Sequence, residues 1–210
     1  MERIPRSPRG AHAGMERVFG RVAIFAVALM AATACLGLWI GDLHGQTDPA
    51  VLRWATVHRL SGVLAALMVV LVNSMAVTYF IGTGRWCREV ADTYRLDDGF
   101  DLRSRQLKRR AFPLALLGML AVVGIVALGG AADPASGRPG TAAWVTPHLV
   151  GALGLMGVVA WCFTAQVPGI RRQHELVEEV LAAVRAVRLA RGLDVERGTE
   201  TGPAPTGGAG

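Results

Sequence analysis

Apolar residues fall into four long runs, at about residues 18–40, 57–81, 112–130 and 147–167. Each is near the roughly 20 residues that a helix needs to cross a hydrocarbon layer. Within each run the apolar side chains cover almost every face instead of one stripe, which suits a helix surrounded by lipid and by other helices. Thr146 is placed to cap the fourth helix with Pro147 at its first helical position, and Pro113 is placed to open the third. The pattern predicts an all-α polytopic membrane protein, with a four-helix up-down transmembrane bundle over residues 18–167.

The intervals read differently. "GDLHGQTDPAVLRWAT" and "AADPASGRPGTAAWVT" are short and rich in Gly, Pro, Asp and Ser, the residues of turns. The middle interval, 82–111, is charged and partly helical. "RWCREVADTYRL" extends the second helix, Asp97-Asp98-Gly99 breaks it, and "DLRSRQLKRRAF" leads into the third run. Over 168–197, Leu176, Val177, Val180, Leu181, Val184 and Val187 recur at helical spacing among charges. This predicts an amphipathic helix lying on the membrane or against a partner. The stretch 198–210, "GTETGPAPTGGAG", is expected to be disordered. No repeat of 20–50 residues is visible.

Composition agrees with a membrane protein. Of 210 residues 52% are hydrophobic and 18% charged, and mean hydropathy is +0.38, too apolar for an ordinary soluble domain. The net charge of +6 reads as topology and not as nucleic-acid binding, because the arginines flank the apolar runs. Arg3, Arg6, Arg9, Arg17 and Arg21 precede the first run. Arg85, Arg88, Arg95, Arg103, Arg105, Lys108, Arg109 and Arg110 fill the middle interval. Arg171, Arg172, Arg185, Arg188, Arg191 and Arg197 follow the fourth run. Only Arg53, Arg59 and Arg138 lie on the other side. The bias predicts both termini and the middle interval in the cytoplasm of a multi-pass cell-membrane protein. Trp39, Trp54 and Trp144 then mark the outer boundary, and Tyr79 and Trp86 the inner one. The basic leader of residues 1–17 looks like the start of a signal peptide. However, the run from Val22 to Ile40 is long for one and no A-x-A site follows, so the helix is expected to be retained.

Candidate chemistry is sparse. Cys35, Cys87 and Cys162 are far apart, which argues against a zinc cluster or a disulfide framework and suits small apolar fillers at Cys35 and Cys162. No G-x-S-x-G, H-E-x-x-H or Walker motif occurs, and the runs carry no carboxylate, so enzyme and transporter readings find little support. His12 and His174 lie in polar segments and His44 in an outer connection; only His58 and His148 belong to apolar runs. Both start helices that run inward, which puts the two imidazoles at one depth near the outer face. The second and fourth helices are diagonal partners in such a bundle. Two imidazoles in that relation suit bis-histidine ligation of haem b. Gly62 and Gly151, one turn beyond their histidines, would leave room for a macrocycle, and Arg59 would pair with a propionate. Other metal binding, a quinone site, or helix packing through small residues are the competing readings of the same residues. Asn73, about four turns below His58, is expected to hydrogen-bond between helices.

His58-Arg59-Leu60-Ser61-Gly62 resembles the H-R-x-S/T-G stretch of the cytochrome b anchor subunit of succinate dehydrogenase, where the arginine and a serine one turn earlier line a quinone site. The layout as a whole resembles one four-helix half of haem A synthase, with His-Arg at the outer start of the second helix and a histidine on the fourth. This likeness implies haem binding through His58 and His148. Ala55 stands where that family keeps its catalytic glutamate and the anchor subunit its serine, and the paired outer-loop cysteines of haem A synthase are missing. The likeness therefore implies a haem-holding, electron-transfer-type subunit within a larger complex or homo-oligomer, without oxidative haem chemistry. The alternative is a non-enzymatic scaffold or assembly subunit that docks partners or anionic lipid through its basic interval and C-terminal helix.

Overall fold

The computed structural model describes residues 14–192 and is all helical over them. Four helices follow in order: α1 (Gly14–Ile40), α2 (Pro49–Tyr94), α3 (Gly99–Ala132) and α4 (Val145–Ala190). All four contain a window long and apolar enough to cross a membrane. The expected leader segment before residue 14 and the expected disordered tail lie outside the described residues.

Local chemistry sets the helix ends. Asp48 caps α2, its carboxylate accepting from the Ala50 N–H at 2.8 Å, with Pro49 in the first turn where no N–H is needed. At the other end Arg95 turns left-handed at φ 55°. The Leu96 N–H then closes on the Ala91 carbonyl, and Asp97 accepts from the Gly99 N–H. The break at Asp97-Asp98-Gly99 is where the sequence put it.

Three boundaries differ from expectation. Pro113 does not open α3 but lies inside it. A helix-interior proline loses one hydrogen bond, and neighbouring helices commonly re-support the backbone of a membrane helix. Thr146 does not cap α4. A short 3-10 turn over Thr141–Trp144 runs into the helix, which starts at Val145 with Trp144 at the cap. The expected separate helix over 168–197 is instead the continuation of α4 through Pro168 to Ala190. Leu176 and Val180 on it are fully buried within the chain.

α1 packs on α2 and α4, α3 packs on the same two helices, and α2 and α4 meet across the short diagonal. α2 and α4 have 46 residues each, roughly 70 Å at about 1.5 Å per residue, twice a hydrocarbon layer. With α3 they form a helical extension at one end, called here the basic end; the opposite end carries His58 and His148. The core is built of small residues such as Ala26, Ala65, Ala76, Ala115 and Ala121, with Phe19, Phe80, Phe163 and Ile170 filling the space between. Phe19 meets Phe163 edge-on at 6.2 Å. The large aliphatics point outward: Leu60, Leu67, Leu116, Leu120, Val123 and Val150 are all exposed. Small residues inside and leucines outside are the arrangement of helices that associate in lipid. In water, so large an exposed apolar surface would drive aggregation.

Candidate functional site: the histidine end and the polar layers below it

His58 is half-buried on α2, and its ring lies against Gly37 of α1. A Cβ at residue 37 would sit 2.7 Å from His58 Cε1, so only glycine admits the imidazole there. His58 Nδ1 lies 3.0 Å from the Thr33 carbonyl oxygen. A carbonyl only accepts, so Nδ1 is the donor, and in that neutral tautomer Nε2 keeps a free lone pair. His148, on α4, is also half-buried and lies against Gly129 of α3, where a Cβ would come within 3.1 Å of its Cε1. Its Nδ1 is buried without a hydrogen-bond partner. Both candidate ligands are therefore inside the bundle at the same end, each in a glycine notch of a neighbouring helix.

The other expected site residues have occupants of their own. Arg59 Nη1 donates to Asp133 at 2.9 Å, and that carboxylate also accepts from the Ala135 N–H. Arg59 thus ties α2 to the connection between α3 and α4. A Cβ at Gly62 would meet only the Thr33 methyl, at an ordinary contact distance of 3.8 Å, whereas the space a side chain at Gly151 would need is taken by Leu128 Cδ1. Of the two notches expected beside a macrocycle, the one at Gly151 is filled by helix packing and the one at Gly62 is not. Ala55, at 1% exposure, faces the core. Cys162 is buried as expected of a filler, whereas Cys35 is exposed and fills nothing.

Two features of this region escape a sequence reading. His44 joins the two connections at the histidine end, with Nδ1 on Asp42 at 2.6 Å and Nε2 sharing a hydrogen bond with Thr141 at 2.9 Å. The Asp42 carboxyl is held below the usual carboxylate range by the backbone N–H and the ring of His44. Below the histidines, Asn73 bonds between helices as expected, but its partner Gln166 was not foreseen. Gln166 Nε2 donates to Asn73 Oδ1 at 3.2 Å and to the Cys162 carbonyl at 3.1 Å, and Asn73 Nδ2 donates to the Val69 carbonyl. Gly118 of α3 admits the Asn73 amide, since a Cβ there would lie 2.9 Å from Nδ2. One heptad further along α4, Gln173 exchanges hydrogen bonds with Ser104 of α3, both buried. The seven-residue spacing of Gln166 and Gln173 inside an apolar helix is the signal that could have found this ladder.

Compared with protein-family models, with curated proteins and with solved structures, the chain matches none. Among the described residues no cluster of three or more His, Cys, Asp or Glu could hold a metal ion.

Proposed function

We propose that the chain is a membrane-spanning b-type haem protein, with His58 and His148 as axial ligands, acting as an electron-transfer subunit and not as an enzyme. The observation that supports this reading is the pair of half-buried imidazoles at one end of the bundle, His58 against α1 with its Nδ1–H held by a backbone carbonyl and His148 against α3. Metal-ligating histidines are commonly oriented by such a bond, which leaves Nε2 to the metal. The unpartnered Nδ1 of His148 leaves that ring without a competing hydrogen bond to fix it. Other uses of a histidine at a membrane boundary, such as facing water, do not call for burial against a neighbouring glycine.

The residues fit axial ligation, while the space for a ring edge depends on one side chain. Only the terminal methyl of Leu128 fills the Gly151 notch, and a rotation of that side chain would clear it. Haem, when bound, supplies a reversible one-electron couple. The protein's part is to hold the ligands, to keep water from them through the α1 and α3 walls, and to anchor the outer connections through Arg59–Asp133. The arginine asymmetry supports placement of this end at the outer face of the cell membrane, with the basic end in the cytoplasm. The competing scaffold reading loses one of its supports, because the apolar residues Leu176 and Val180 of the C-terminal segment are already covered by the chain itself.

Protein purified from haem-replete cells should show a Soret band and sharp reduced α and β bands. His58→Ala and His148→Ala should each abolish the six-coordinate spectrum. Arg59→Ala should lower thermal stability with little change in haem content, because its partner is Asp133. A colourless wild-type protein, or a spectrum unchanged in both histidine variants, overturns the proposal.

A further inference from the structure

At the basic end, α3 and α4 diverge enough to leave a groove of two adjoining cavities, of about 180 and 190 Å³. The deeper one is floored by Ala111 and Leu114 of α3 and by Ala165 and Pro168 of α4. Towards the end of the bundle the lining becomes cationic and polar. Arg110 and Arg172, on facing helices, line both cavities, and Arg103, Gln106 and Glu175 line the outer one. The charges are not equivalent. Arg103 is neutralised by a two-pronged bond to Glu179. Arg110 and Arg172 form no ion pair with a carboxylate among the described residues, and Glu175 is the one carboxylate lining the groove. Two unpaired guanidiniums facing one cleft repel each other unless an anion lies between them. The guanidinium fork suits phosphate oxygens, and an apolar floor on the membrane side suits a glycerol backbone and acyl chain.

We propose that this groove binds the phosphate headgroup of an anionic phospholipid from the leaflet at the basic end, with Arg110 and Arg172 as its ligands. The inference rests on the reading that the chain spans a membrane, and it is independent of haem. Basic pockets between membrane helices on the cytoplasmic side are a recurrent place for such headgroups. General positive-inside charge does not account for it, because Arg17 and Arg21 at the same end are exposed on α1 and line neither cavity.

The test uses the full chain in neutral detergent, titrated with dioctanoyl phosphatidylglycerol, dioctanoyl phosphatidylcholine or inorganic phosphate, and followed by the thermal midpoint and by native mass spectrometry. Phosphatidylglycerol should bind and raise the midpoint, with phosphatidylcholine and inorganic phosphate at the same concentration doing neither. Arg110→Gln/Arg172→Gln should weaken binding about tenfold or more, on the order of what two membrane-surface cations contribute. Arg110→Lys/Arg172→Lys should retain most of it, and Arg17→Gln/Arg21→Gln should match wild type. Equal binding by phosphatidylcholine overturns the headgroup assignment, and equal binding by inorganic phosphate overturns the lipid. An equal loss in the α1 pair replaces the site with diffuse charge. If the glutamine pair does not fold, wild type, the lysine pair and the α1 pair still decide. Membrane residence is read separately, by resistance to carbonate extraction. A chain that stays in the membrane yet shows no lipid preference therefore overturns the groove alone.

Discussion

Single residues carry most of the specificity at the histidine end, and the glycines carry as much of it as the histidines. Gly37 admits the His58 ring, and Gly129 admits that of His148. Gly37→Ala should push the His58 ring away from α1 and break its bond to the Thr33 carbonyl. The expected result is a several-fold loss of haem retained per chain, read by pyridine haemochrome. Gly20→Ala is the control: a Cβ there meets nothing within 4 Å, so it should cost nothing and can add up to about 1 kcal/mol of helix stability. Equal haem content in the two variants would remove the notch from the argument. At the polar layer the donors are satisfied, while Gln166 Oε1 is buried without a partner. Asn73→Leu takes from Gln166 Nε2 one of its two acceptors and leaves it the Cys162 carbonyl alone, which should cost about 1–3 kcal/mol, and Gln166→Leu, which leaves Asn73 Oδ1 unpartnered, should act alike. The double variant removes both polar groups and should recover much of the loss. Thermal unfolding in detergent measures all three, and strictly additive losses would mean that the Asn73–Gln166 bond couples nothing.

At the scale of helices, the basic end is held together by two clips between elements. Arg171 of α4 grips Glu16 of α1 through two hydrogen bonds, at 2.6 and 3.2 Å, and Arg103 of α3 grips Glu179 of α4. In both cases the arginine hydrogen bonds hold the glutamate below its ordinary value of 4.5. A carboxylate whose folded value is depressed adds stability that is complete above the unfolded value and is lost as pH falls through the folded one. The clips should therefore hold at neutral pH and weaken progressively below about pH 4.5, each contributing little because the pairs are largely exposed. A melting midpoint that falls in acid for wild type and is flatter for Glu16→Gln/Glu179→Gln checks this, and identical acid slopes would dismiss it. The same clips show what was legible in the sequence. Four apolar runs, the break at Asp97-Asp98-Gly99 and the helical nature of the flanking charged segments could all be read, because hydropathy and turn chemistry act locally. That α4 continues unbroken from Val145 to Ala190 could not. It depends on Leu176, Val180 and Gln173 finding α3, and on Pro168 being tolerated inside a supported helix. That His58 and His148 lie at the same end of the bundle was legible for the same local reason. The filling of the Gly151 notch was not, since it depends on where Leu128 of α3 points.

At the scale of the whole molecule, the two ends are chemically opposite, and on the proposed reading this asymmetry sets the orientation in the membrane. The histidine end has short connections, exposed Trp39, Trp54 and Trp144, and an edge-on Trp39–Trp54 pair at 5.6 Å. The basic end extends all three of α2, α3 and α4 well past any hydrocarbon layer and carries most of the arginines. A helix bundle inserts with its cationic flanks retained on the cytoplasmic side, and short connections translocate easily. Single-cysteine reporters on a background with Cys35, Cys87 and Cys162 replaced by alanine make this measurable in intact cells. Arg138→Cys, in the α3–α4 connection, should react with a membrane-impermeant maleimide at once. Gln106→Cys, exposed on the basic extension of α3, should react only after permeabilisation. The reverse pattern would place the histidine pair at the cytoplasmic face. It would also move the Arg110–Arg172 groove to the outer leaflet, where the supply of anionic lipid differs. Orientation therefore decides which electron donors could reach the proposed haem and which lipids could reach the groove, while the folding of the bundle does not depend on it.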